Sequence, residues 1–150
     1  MIRRVLVAVD DSPASLAAAR LAVEVAAAWN ASLRAVSVVG DHLVDERLAA
    51  VLGPPEPEPL ARRRENAASA VLRHLARLAE QSGVPIETRQ LDGEPAAVIL
   101  DEARRWPADL VVLGRSDRHG AGEPYIGAQT RQVPEFADRP VLVVPQGRRS

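Results

Sequence analysis

The chain has 150 residues, 47% of them hydrophobic and 26% charged, a formal net charge of −1 and no cysteine. That length suits one domain with a substantial core. The near-zero charge offers no global field to nucleic acid or anionic lipid, and without thiols there is neither a disulfide framework nor a thiolate-liganded metal site. All 19 basic residues are arginine, which excludes a Walker phosphate loop, a pyridoxal enzyme and a Schiff-base aldolase, since each needs a lysine.

Val5 to Val9 is an unbroken aliphatic run ended by a turn, which predicts a strand buried on both faces. The run stops at Asp10-Asp11, too short for a signal peptide, and no stretch approaches the length of a membrane span. The expectation is a cytoplasmic protein with no membrane partner. Ser12 is placed to cap a helix and Pro13 to occupy its first position, where a missing N–H costs nothing. Leu16, Ala19, Val23 and Ala26 or Ala27 carry that helix at helical spacing to about Trp29. A second strand is predicted over Leu33 to Val39.

Gly40 to Pro59 is a long connection, with a short helix around Val44 to Leu52. It closes on Gly53-Pro54-Pro55-Glu56-Pro57-Glu58-Pro59, whose prolines oppose regular structure. Leu60, Ala67, Ala68, Val71, Leu72, Leu75 and Leu78 mark a helix stopped by Gly83 and Pro85, and its Arg62-Arg63-Arg64 reads as a solvated face. Ile86 to Leu91 reads as a short strand, Pro95 to about Trp106 as a helix, and Asp109 to Leu113 as another apolar strand. After a polar loop a helix starts near Gly127, with Pro134 inside it to kink or shorten it, and the strand Val141 to Val144 follows. Residues 1–145 read as one domain and 146–150 as a flexible tail. Strands alternating with helices imply a mostly parallel α/β sheet covered on both faces, with right-handed crossovers.

In such sheets ligands sit beyond the carboxyl ends of the strands, where strand order reverses. Asp10 ends the first strand and Gly114 the fourth. The glycine-bearing loop after Gly114 opens onto a helix, whose free N–H groups and positive dipole end suit an anion; a turn has its own need for glycine. Asp10 has two readings, a ligand contact or an Asx-turn cap of the next helix.

The run Val5-Leu6-Val7-Ala8-Val9-Asp10-Asp11-Ser12-Pro13-Ala14-Ser15 resembles the opening of universal stress proteins. Gly93-Glu94-Pro95-Ala96 resembles that family's Gly-x-Pro helix start. Asp109-Leu110-Val111-Val112-Leu113-Gly114 and Pro140-Val141-Leu142-Val143-Val144-Pro145 match its C-terminal half in type and spacing. The resemblance implies a five-stranded parallel sheet of order 3-2-1-4-5 with helices on both faces, a Rossmann-like nucleotide α-hydrolase type of fold. It also implies a homodimer that pairs through Val141 to Val144.

Nucleotide-binding members carry a signature of Gly, two residues, Gly, nine residues, Gly, then Ser or Thr. Gly114 and Gly127 fill the outer glycine positions, thirteen residues apart. Asp117 stands at the middle glycine and Ala128 at the hydroxyl. Asp117 adds a side chain and a negative charge where phosphate would approach, and Ala128 offers no hydroxyl donor. The matching half is the adenosine half. The resemblance implies that Asp10 accepts hydrogen bonds from adenine or ribose, Ala8 and Val38 flank the base, and Leu113 and Gly114 back the ribose. Arg115, Arg118 and His119 are side chains placed to replace lost phosphate contacts; an exposed loop is the plainer reading.

Two functional readings follow. One is a dimeric regulatory or interaction module of the stress response, with a partly degenerate site that binds no ATP. The other is a functional ATP- or AMP-binding protein of the same family. Neither involves catalysis, and no nucleic-acid partner is expected. Gly114-Arg115-Ser116-Asp117-Arg118 falls one glycine short of a hydrolase nucleophile elbow, and no histidine follows His119 to complete a triad. His42, His74 and His119 lack zinc-ligand spacing, so no metal site is expected.

Overall fold

The computed structural model describes residues 1–10, 12–39, 51, 58–115 and 128–145. Among these residues nine elements are defined, in chain order: β1 Arg4–Ala8, α1 Pro13–Trp29, β2 Ser32–Val39, α2 Glu58–Gln81, β3 Ile86–Asp92, α3 Pro95–Arg105, β4 Leu110–Gly114, α4 Ala128–Phe136 and β5 Val141–Val144. The expected short helix at Val44 to Leu52 lies outside the described residues except for Val51, as does the tail 146–150.

All four strand pairings are parallel and the sheet order is β3-β2-β1-β4-β5. Val7 of β1 stands level with Ala35 of β2 and Val112 of β4. The three inner strands are buried on both faces because helices cover both, which is why they read as continuous apolar runs rather than alternating ones. Alternation still sorts their side chains into two cores. Val5, Val7, Leu33, Ala35 and Val112 meet α1 and α2 on one face. Leu6, Val36, Val111 and Leu113 meet α3 and Val133 of α4 on the other.

The helix boundaries follow from local chemistry. Ser12 Oγ accepts the Ser15 N–H at 3.3 Å with Pro13 next in line, and Asn30 closes α1 in the left-handed region at φ 53°. Glu94 caps α3, accepting from Ala96 N at 3.2 Å and Ala97 N at 2.8 Å. Gly93 before it takes φ +135°, a conformation that side chains rarely adopt.

Several boundaries differ from the sequence reading. α2 begins at Glu58, so Pro59 sits inside the helix; the first turn has no intrahelical use for its N–H, and proline is tolerated there. Asp109 lies just before β4; its backbone N–H donates to Arg4 O at 2.8 Å, and its Oδ2 accepts the backbone N–H of Arg3 at 2.8 Å and of Arg4 at 3.0 Å. Val9 lies outside β1 although its N–H still donates to Val36 O at 2.9 Å. Pro134 is inside α4 as expected, and that helix is short, nine residues ending at Phe136.

Candidate functional site

The chain runs outward from β1 to β2 and β3, then returns to place β4 on the other side of β1. The reversal leaves the exits of β1 and β4 side by side, with Ala8 level with Leu113. Ala8 and Leu113 share a sheet face with Val38, and all three belong to the apolar cluster under α3 and α4. Leu113 is buried, whereas Ala8 and Val38 are half-buried. The structure therefore brings together the three apolar residues expected to border an adenosine.

Asp10 follows two residues after β1. Its Oδ1 accepts the Ser12 N–H and the Ser15 hydroxyl, both at 2.8 Å, while its own N–H donates to Ser15 Oγ at 2.9 Å. The bond to Ser12 N is an Asx-turn, so the capping role is real. Both bonds fall on one oxygen, and Oδ2 carries no hydrogen bond among the described residues. A carboxylate with one oxygen anchored and the other open is an acceptor held in place for a donor such as an amino or hydroxyl group.

Gly114 ends β4 against the first turn of α1. A Cβ there would stand 2.6 Å from both the carbonyl carbon and oxygen of Ala14, and 2.8 Å from Ser15 N. Its lack of a side chain thus has a cause inside the fold: strand and helix backbones touch. Arg115 is exposed, and its N–H donates to Val144 O at 2.7 Å, carrying the β4–β5 ladder one step further. Ala128 is the first residue of α4. Asp117, Arg118, His119 and Gly127 lie outside the described residues. Among the described residues no three His, Asp or Glu side chains gather as a metal site, and no helix is long and apolar enough to cross a membrane.

Two features escaped the sequence reading. Ser15 is one; its only signal was a second serine three residues after the cap. The other is a buried ion pair. Arg34 of β2 donates to Glu102 Oε1 at 2.8 Å and to Glu87 Oε2 at 3.0 Å, and its guanidinium lies 4.7 Å from the centre of the Trp106 ring. Arg34 interrupts an apolar strand, which hints at a partner, but nothing local names Glu102, 68 positions away.

An open, all-parallel α/β sheet of order β3-β2-β1-β4-β5 with helices on both faces defines a Rossmann-like fold. The universal stress protein family model matches residues 1–145, and the chain belongs to that family. A universal stress protein of Thermus aquaticus is 33% identical over 145 residues, covering 96% of this chain and 99% of the relative. Universal stress protein UspA from Lactobacillus plantarum superposes with a TM-score of 0.76 at 30% identity, covering 95% of this chain and 97% of that one. A universal stress protein solved in complex with cAMP has a TM-score of 0.69 at 24% identity, over 97% of this chain and 98% of that one, and at that distance shows the shared fold alone.

Proposed function

We propose that this protein is a non-catalytic, dimeric binding module that holds the adenosine part of a nucleotide at the exits of β1 and β4. The observation that carries the proposal is the Asp10 carboxylate, anchored through Oδ1 by Ser12 N and Ser15 Oγ, with Oδ2 left for a ligand beside half-buried Ala8 and Val38. A universal stress protein of the same fold is solved with cAMP bound, which makes an adenine nucleotide the first ligand to test. Asp117 and Ala128 argue against tight triphosphate binding, since one adds negative charge and the other removes a donor. AMP or adenosine therefore fits better than ATP.

The contrast between the two sheet edges supports the dimer. β3 presents Glu87, Thr88, Arg89 and Gln90, all exposed, which is how a solvent-facing edge discourages pairing. β5 presents Val141, Leu142 and Val143, half-buried and uncharged. An apolar edge of that kind is a template for another strand, and the occupant proposed is the β5 of a second copy.

Calorimetric titration of the purified protein with ATP, AMP and adenosine, together with a native mass spectrum, tests both parts. The expected result is a dimer that binds AMP or adenosine at least as tightly as ATP. A monomer that ignores all three ligands refutes the proposal; a dimer that ignores them leaves only the reading as a protein-interaction module.

A further inference from the structure

We infer that Ser15 is a positioning residue of the adenosine site, acting through Asp10; this rests on the reading of Asp10 as a ligand contact. Ser15 is 4% exposed in the first turn of α1, too buried to meet the ligand itself. Its hydroxyl works in both directions. It accepts the Asp10 N–H at 2.9 Å and donates to Asp10 Oδ1 at 2.8 Å.

The second bond decides how the carboxylate stands. The terminal torsion of an aspartate is broad, so a carboxylate held by a single bond turns its plane at little cost. Ser12 N–H and Ser15 O–H both bond the same oxygen. Together they fix the plane of the carboxylate, with one oxygen anchored and the other without a hydrogen bond among the described residues. Ser12 alone would leave one bond to hold a group that can rotate about it. The hydroxyl also ties the carboxylate to the Asp10 backbone, because the same Oγ accepts that N–H. Ser15 stands between both halves of the site: its N–H is one of the atoms that a Cβ on Gly114 would meet, at 2.8 Å. One buried serine thus links the exit of β1, the first turn of α1 and the end of β4.

Without the hydroxyl, binding must order the Asp10 side chain that is now ordered in advance. Immobilising one such side chain on binding corresponds to a loss of about 2- to 12-fold in affinity. The test is calorimetric titration with AMP of the wild type, Ser15→Ala, Asp10→Ala and the double variant, with Ser15→Cys as a near-isosteric second probe. Ser15→Ala and Ser15→Cys should bind AMP about 2- to 12-fold more weakly than wild type. In the Asp10→Ala background the serine change should alter affinity by less than about twofold, because the group it positions is gone. A role confined to folding would give the same loss in both backgrounds, and that result overturns the inference. Wild-type-like binding by Ser15→Ala overturns it as well. A wild type that does not bind AMP is a separate outcome, which removes the adenosine reading and this inference with it.

Discussion

A Cβ on Gly114 would stand 2.6 Å from Ala14 backbone atoms, a separation real Cβ atoms do not adopt. Those atoms belong to backbone and cannot swing aside, so Gly114→Ala must push β4 and α1 apart. The expected cost is about 1–3 kcal/mol, typical of forcing extra carbon into a packed place, read as a lower urea midpoint at unchanged slope. A variant as stable as wild type would mean that the strand end yields freely. Asp117 and Ala128 are the residues to restore if the adenosine half of the site is intact. Asp117→Gly with Ala128→Ser returns the small residue and the hydroxyl of the family signature. Each charge-assisted hydrogen bond contributes about 1.5–3 kcal/mol, so affinity for ATP should rise by at least about tenfold. Adenosine, without phosphate, should gain far less. Equal gains for both ligands would contradict the assignment of these two positions to phosphate.

At the scale of elements, α3 is bound to the sheet by charge as well as by apolar packing. Arg34 of β2 and Glu102 of α3 are both buried, and Glu102 lies among apolar neighbours such as Ile99 and Ala103. Arg34 Nε has no hydrogen-bond partner among the described residues, so the guanidinium already lacks one bond. Removing Glu102 would leave that cation, among the described residues, with the exposed Glu87 and the Trp106 ring. Glu102→Ala should therefore cost about 3–5 kcal/mol, the usual penalty for breaking a buried pair from one side. Arg34→Met together with Glu102→Leu should cost much less, since no charge is then stranded. Urea unfolding of the three proteins distinguishes these outcomes, and equal losses for single and double variants would show that packing, not charge, decides. Arg139 makes a comparable tie at the start of β5, where its NH1 donates to Ala103 O at 2.6 Å and Ala108 O at 2.8 Å.

For the whole molecule, the exposed β3 edge and the apolar β5 edge set the expectation for assembly. Val143→Lys places a charge on β5, and light scattering at tens of micromolar should report a monomer where the wild type gives a dimer; an intact dimer would move the interface elsewhere. Acid stability has a separate origin. The backbone N–H of Arg3, followed by that of Arg4, holds Asp109 below the ordinary value of 3.8. A carboxylate with a depressed pKa stabilises the fold at all pH above its unfolded value and loses that contribution as pH falls through its folded value. The loss thus falls below about pH 4. Asp109 is half-buried, so solvent screening keeps the effect modest. Asp109→Asn should be slightly less stable than wild type at pH 7 and 5, with the gap narrower at pH 3. Urea midpoints at those three pH values check it; a constant gap would mean that the charge contributes nothing.

Much of this fold was legible because its cues are local. A continuous aliphatic run has one stable use in an α/β chain, as a strand buried on both faces, and β1 and β4 obeyed that rule. Ser12-Pro13, Gly93-Glu94-Pro95 and Gly83 act through bonds and dihedrals within a few residues, so the helix ends they mark could be read directly. Strand order came from the family resemblance, since no local cue says whether β4 joins β1 or β3. What only the tertiary structure decided are contacts between distant parts: Asp109 with the N–H groups of Arg3 and Arg4, Arg34 with Glu102, and Gly114 against Ala14. The same holds for Asp10. Its sequence neighbours permitted either a cap or a ligand contact, and the placed Ser15 hydroxyl puts both capping bonds on one oxygen, the other having none among the described residues. Local chemistry determines which groups a residue offers; the packing of the whole chain determines which of them are already taken.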